Sequence, residues 1–250
     1  MIECMRHLIP LLLATSLFAA HKETGFLDRT VTVEGTTYRY QVYVPSNWTK
    51  ARQWPVIFFL HGAGERGDDG LASTQVGIGR AVRLHSERFP AVIVMPQCRK
   101  DIQWTDPKME AQAMAALANA MKEFHGDPNR IYLTGLSMGG YGTFAFAAHH
   151  AGKFAVAVPI CGGVVRPKEN AVGDPYADTA AKIGKTPVWM FHGEADPSVP
   201  VTESQKMNAA LKAAGGNVRY TEYPGVGHNS WDQAYEDPEL AKWMFEQKLR

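Results

Sequence analysis

Residues 130–145 constrain this chain more than any other stretch. Arg130-Ile131-Tyr132-Leu133-Thr134 reads as a strand, Gly140-Tyr141-Gly142-Thr143-Phe144-Ala145 reads as the small-residue start of a helix, and Gly135-Leu136-Ser137-Met138-Gly139 joins them with no loop between. A strand that turns at once into a helix holds its middle residue in a strained conformation with the side chain exposed. The flanking glycines keep Cβ atoms out of the bend. The backbone N–H groups that follow lie at a helix N-terminus, where they favour a developing negative oxygen. Ser137 is therefore a candidate nucleophile and the Met138 N–H a candidate oxyanion donor.

A serine nucleophile needs a base and an acid to orient it, and on this kind of turn they follow in the order Asp or Glu, then His. Thr186-Pro187-Val188-Trp189-Met190-Phe191-His192-Gly193 reads as a buried strand, with Asp196 in the turn beyond it. Val218-Arg219-Tyr220-Thr221-Glu222-Tyr223 reads as the next strand and runs into a loop carrying His228. Open parallel sheets gather ligand sites at the carboxyl ends of their strands, so the three residues can converge. Asp196 before Pro197 also suits an Asx-turn, and Glu194 is a rival carboxylate two residues away; Asp196 is preferred. His61, His85, His125, His149, His150 and His192 are rival bases, but none follows the final strand. His149-His150 are not read as a metal pair, because neighbours on a helix point apart and no acidic partner lies at ligand spacing. No metal or cofactor is expected.

Upstream, Trp54-Pro55-Val56-Ile57-Phe58-Phe59-Leu60 is a continuous apolar run that ends in His61-Gly62-Ala63-Gly64-Glu65-Arg66-Gly67. A His-Gly-x loop after such a strand is where a second oxyanion donor is expected, here the N–H of Ala63. Without a G-K-[ST] ending, the loop does not read as a phosphate cradle.

Five motifs in order, Phe59 to Asp69, Met95-Pro96-Gln97-Cys98 with Trp104 close behind, Gly135 to Gly140, His192 to Asp196, and Gly227-His228-Asn229-Ser230-Trp231, resemble the α/β-hydrolase superfamily. The resemblance is to its lidless single-domain bacterial serine esterases, feruloyl-esterase-like and phospholipase/carboxylesterase-like, some of which are labelled peptidases. It implies a serine esterase fold and chemistry without naming the ester.

The coarse pattern agrees. Residues 30–33 and 38–44 read as a β-hairpin; parallel strands over 55–60, 91–96, 130–135, 154–160, 187–192 and 218–223 then alternate with helices. The expected fold is an α/β-hydrolase with a mostly parallel eight-stranded sheet covered on both faces. Asp106-Pro107 and Asp237-Pro238 are helix starts, and Thr202-Glu203-Ser204-Gln205 reads as a capping box. Only Cys161 to Lys185 separates strands six and seven, too little for a large cap domain. The site is thus expected to be an open groove, with Trp104 and Trp231 as candidate substrate-binding walls.

With 26 Lys and Arg against 25 Asp and Glu, the net charge of +1 gives no reason to expect nucleic acid or an anionic membrane as partner. Leu8 to Ala20 is too short an apolar run for a membrane span and suits a signal peptide over 1–20, which points to a secreted or periplasmic protein and a single catalytic domain over 21–250. Cys98 and Cys161 each follow a strand, with two strands expected between theirs, and are read as free thiols. The expected partner is a small-molecule or polysaccharide-linked ester; the alternatives are a serine peptidase or a non-catalytic hydrolase-fold binding protein.

Overall fold

In a computed structural model, residues 23–166 and 172–249 are described. The expected signal peptide over 1–20 lies outside the described residues. Two antiparallel strands open the fold, β1 (Gly25–Val33) and β2 (Thr36–Val44). Glu34 and Gly35, at φ 48° and 78°, form the two-residue turn whose positive dihedrals match strand twist. Six parallel strands follow: β3 (Trp54–Leu60), β4 (Val92–Pro96), β5 (Gly126–Leu136), β6 (Val156–Ile160), β7 (Val188–Gly193) and β8 (Val218–Tyr223). The sheet order is β1-β2-β4-β3-β5-β6-β7-β8, with β1–β2 and β2–β4 antiparallel and the rest parallel. The eight-stranded, mostly parallel sheet expected from the sequence is the one observed.

Both faces of the sheet are buried, which is why its central strands are apolar throughout. Along β3, Val56, Phe58 and Leu60 join the core on one face while Ile57 and Phe59 join the core on the other. The first face is covered by α2 (Pro107–Glu123), α3 (Met138–His149), α4 (Pro175–Ile183) and α5 (Thr202–Ala213). The second is covered by α1 (Ile78–Leu84), α6 (Trp231–Glu236) and α7 (Pro238–Glu246). Asp106 and Asp237 cap α2 and α7 through the N–H groups of Lys108 and Glu239, each ahead of a proline that needs no acceptor. No described helix is long and apolar enough to cross a membrane.

One helix start departs from the sequence reading. The residue before α5 is Val201, and Thr202 makes no capping bond. Gln205, the fourth residue of the expected capping box, instead donates its Nε2 to Glu222 Oε2 at 3.0 Å, and Glu203, the second, is buried, its carboxylate accepting the N–H groups of Val164 and Val165 and the Tyr176 hydroxyl. A carboxylate screened from water takes several donors wherever they lie, and those of Glu203 come from other segments of the chain. Between β6 and β7 the described residues hold the single short helix α4, so the expectation of no large cap domain agrees with what is described.

Candidate active site

Four strand ends build the site. β5 delivers Ser137, which sits at φ 53°, ψ −117° between strand and helix, so the expected strained turn is present. Its N–H donates to the Ile160 carbonyl at 2.9 Å, which pins the bend to β6. The sequence requirement for glycine at 139 is steric: a Cβ there would overlap the Leu60 carbonyl oxygen at the end of β3. Met138, the first residue of α3, has an N–H without an acceptor in its own helix, as all first-turn amides do.

β7 ends at Gly193, and the turn beyond it presents Asp196, whose side chain is shut off from solvent. This aspartate makes the Asx-turn and still turns an oxygen to a histidine. Its Oδ1 accepts the N–H groups of Ser198 at 2.8 Å and Val199 at 3.0 Å, an Asx-turn that fixes the carboxylate. Its Oδ2 meets His228 Nδ1 at 2.7 Å. Burial opposes the charge on Asp196, but hydrogen bonds from the His192 and His228 rings and from the Val199 and Ser198 amides outweigh it and hold the group well below the ordinary carboxylate range. The rival Glu194 is exposed and accepts the Gly225 N–H at 2.9 Å, away from the histidine.

Beyond β8, His228 turns its other nitrogen, Nε2, to Ser137 Oγ at 2.9 Å. A carboxylate against Nδ1 makes that nitrogen the donor, so Nε2 carries the lone pair that faces the serine hydroxyl. Ser137, His228 and Asp196 therefore form one continuous hydrogen-bonded relay, although 91 and 32 residues separate the members of its two links. Trp231 stands edge-on to His228, ring centroids 5.3 Å apart, and is partly exposed.

The loop after β3 lies against Ser137. A Cβ built on Gly62 would stand 3.7 Å from Ser137 Cβ. The Gly62 N–H is engaged by the Glu65 carboxylate, whose burial raises its pKa while that bond lowers it. Ala63, next in line, is exposed at the start of a single 3-10 turn, Ala63–Glu65. His61 is buried beneath: its Nε2 accepts the Cys98 N–H at 2.9 Å and its Nδ1 donates to the Gly62 carbonyl at 2.6 Å. Burial pushes this imidazole down to about 4 and keeps it neutral, as an acceptor at Nε2 must be.

Trp104 is not a wall of the groove. It is fully buried, its Nε1 donates to the His61 carbonyl at 2.9 Å, and its ring meets His61 edge-on at 4.9 Å. An indole with its N–H satisfied inside the core supports the loop after β3 from below and presents no surface to a ligand. The reading of His149-His150 also changes. α2 supplies the acidic partner that neighbouring sequence lacked: Glu110 meets His149 Nδ1 at 2.9 Å and His150 Nε2 at 2.8 Å. Among the described residues, the group of three or more His, Cys, Asp or Glu ligand atoms that all lie within 4.8 Å of one another is Cys161, Asp196 and His228, and the last two already bond to each other. Cys98 and Cys161 are both buried free thiols, their pKa values raised by burial.

Residues 87–241 match the model of the Dienelactone hydrolase family, a stretch that contains Ser137, Asp196 and His228. The chain belongs to that family. The chain is 35% identical to a protein whose crystal structure is described as that of a thermostable esterase, at a TM-score of 0.78 over 89% of this chain and 63% of the other. A ferulic acid esterase superposes at a TM-score of 0.69 over 88% of this chain and 96% of its own, at 18% identity, a likeness of fold. Acyl-protein thioesterase 1 of Gibberella zeae is 32% identical over 112 residues, 45% of this chain. The chain spans 42% and 46% of the length of two of the curated relatives it matches.

Sequence reading missed His192 as part of the site and weighed it only as a rival base. It is buried at the end of β7, with Nε2 3.3 Å from Asp196 Oδ2 and 3.0 Å from the Val199 carbonyl, and Nδ1 2.7 Å from Ser204 Oγ on α5. Its spacing of four from Asp196, across a turn that folds back on the strand, was the available signal.

Proposed function

We propose that this member of the Dienelactone hydrolase family is a serine-dependent carboxylic ester hydrolase that works through an acyl-enzyme. The relay from Ser137 Oγ to His228 Nε2 and from His228 Nδ1 to Asp196 carries this reading. In the forward step His228 takes the serine proton as Oγ attacks the ester carbonyl. The imidazolium then gives that proton to the leaving alcohol, and a water repeats the sequence to free the acid. Asp196, shielded and ionised, holds the ring in the productive tautomer and stabilises it when charged. The Met138 and Ala63 N–H groups are assigned to the oxyanion: one heads α3, and the other stands exposed on the loop that abuts Ser137.

The preferred substrates are esters of short or aromatic acids, including acetyl and feruloyl groups carried on a polysaccharide, and the mature enzyme is proposed to act outside the cytoplasm. The exposed side of Ala63 and the partly exposed Trp231 beside His228 support an open cleft with an aromatic wall. A long acyl chain in such a cleft leaves its far end in water and forfeits ~0.8 kcal/mol for each CH₂ not buried. The likeness to a thioesterase makes acyl thioesters the competing substrate class.

The test is a panel of p-nitrophenyl esters of rising chain length with methyl ferulate, acetylated xylan and an acyl thioester, run on wild type and Ser137→Ala. The expected kcat/KM peaks at about two to six acyl carbons on the area argument, and the variant loses ~10⁴-fold or more. Retention of more than a tenth of the activity in Ser137→Ala would remove the serine mechanism. A maximum at ~12 carbons or longer would remove the open cleft.

A further inference from the structure

Asp196 Oδ2 faces two imidazoles. His228 Nδ1 lies 2.7 Å from it and His192 Nε2 lies 3.3 Å from it. The tautomer of His192 follows from its neighbours: Nε2 is 3.0 Å from the Val199 carbonyl, which can only accept, so Nε2 bears the hydrogen, and Nδ1 accepts from Ser204 Oγ at 2.7 Å. His192 and Ser204 are fully buried, so no water competes for either bond.

We propose that His192, held in a single tautomer by Ser204, is a positioning residue for the base: it donates to the carboxylate oxygen that binds His228 and so limits how strongly Asp196 holds His228 in its protonated form. The proposal rests on the catalytic relay advanced above. Its chemistry is that of a shared acceptor. An oxygen that accepts a second donor carries less charge for the first, and a carboxylate with less charge stabilises an imidazolium less. Without such a brake a buried, fully charged Asp196 would keep His228 protonated to higher pH and withhold the lone pair that Ser137 needs.

The charged and titratable groups around this pair stay as they are when His192 changes. Asp196 keeps the amides of Ser198 and Val199 on Oδ1. From β8, Glu222 stands opposite His192 in register and is held by the Tyr220 hydroxyl at 2.6 Å and Gln205 Nε2 at 3.0 Å. On α5, Glu203 is engaged by Val164, Val165 and Tyr176. Behind the relay, Cys161 is a buried neutral thiol. Glu222 and Glu203 keep these partners when the His192 ring is removed.

The experiment compares wild type, His192→Phe, His192→Gln and Ser204→Ala by the pH dependence of kcat/KM on p-nitrophenyl acetate. Separately, the His228 ring resonances are titrated by NMR in the same three variants made on a Ser137→Ala background, a reading that needs no turnover. Loss of the donor in His192→Phe is expected to move the acid limb and the His228 midpoint upward by ~0.5–1 pH unit. His192→Gln, whose amide N–H can reach the same oxygen, is expected to restore most of the shift, and Ser204→Ala, which frees the tautomer, to give part of it. A lower rate with an unmoved acid limb and an unmoved His228 midpoint would make His192 a packing residue and overturn the proposal. If His192→Phe does not fold, an unmoved midpoint in Ser204→Ala does the same. Failure of the relay itself reads differently, as activity that survives Ser137→Ala whatever His192 does.

Discussion

Replacing Asp196 with asparagine tests the relay at its least exposed member. In the wild-type site Asp196 accepts two amides on Oδ1 and His228 Nδ1 on Oδ2, and His192 Nε2 stands 3.3 Å from the same Oδ2. An asparagine that keeps its single oxygen on the Ser198 and Val199 amides must turn its NH₂ toward the histidines. His192 loses little, because its Nε2–H still has the Val199 carbonyl at 3.0 Å. His228 must now accept at Nδ1, which moves its proton to Nε2 and points a donor at the Ser137 hydroxyl. A ring that donates to the nucleophile cannot deprotonate it, and loss of the productive tautomer costs ~10⁴ in kcat, or about 5.5 kcal/mol of barrier. The Asx-turn survives, so the cost in stability is limited to the charge-assisted part of the lost bonds. That is ~2 kcal/mol, roughly 4–8 °C in Tm for a chain of this size. The assay is kcat on p-nitrophenyl acetate at saturation, with Tm by calorimetry as the folding control. Glu194→Gln, exposed and still able to accept the Gly225 N–H, is expected to stay within about twofold. A kcat for Asp196→Asn within tenfold of wild type, or a larger loss in Glu194→Gln, would refute the assignment.

Three further outcomes concern His61 and Trp104 beneath the site and Trp231 beside His228. His61 is held neutral, its pKa lowered from 6.5 to about 4 by burial, so the unfolded chain binds a proton between those values that the folded protein does not. Its contribution to stability is therefore intact above about pH 6.5 and is lost as pH falls toward 4, by at most ~3 kcal/mol. Urea unfolding at pH 7, 5.5 and 4.5 should show a flatter pH slope in His61→Gln; an unchanged slope would contradict the burial argument. Trp104→Phe removes the bond to the buried His61 carbonyl and should cost ~1–2 kcal/mol in stability while KM for methyl ferulate holds steady. Trp231→Ala should do the reverse, raising KM with little change in Tm. A KM effect at Trp104 without a Tm effect would return it to the groove.

What the sequence determined by itself was whatever depends on residues adjacent along the chain. The bend at Ser137 was legible because strand, glycines and helix are contiguous, and the carbonyls of Leu60 and His61 enforce the glycine at 139. The Asp-Pro starts of α2 and α7 were legible because the cap and its amide partner lie two residues apart. Asp196 and His228 were reached through strand order, since a parallel sheet brings successive strand ends to one edge whatever lies between them.

Only the tertiary structure decided where polar groups find partners across elements. Gln205 has the spacing of a capping residue, yet its side chain goes to Glu222 on β8, and its neighbour Glu203 binds the loop after β6, because partners from other segments reach both. The acid that joins His149 and His150 comes from α2, 39 and 40 residues away. Trp104 was placed near the site correctly and on the wrong side of its loop, since sequence gives an indole's neighbourhood and not the direction its ring takes. His192 went unread for the same reason: a buried histidine announces a partner, but its chemical role depends on which atom it meets, and that atom, Asp196 Oδ2, is brought to it by the turn that folds back over β7.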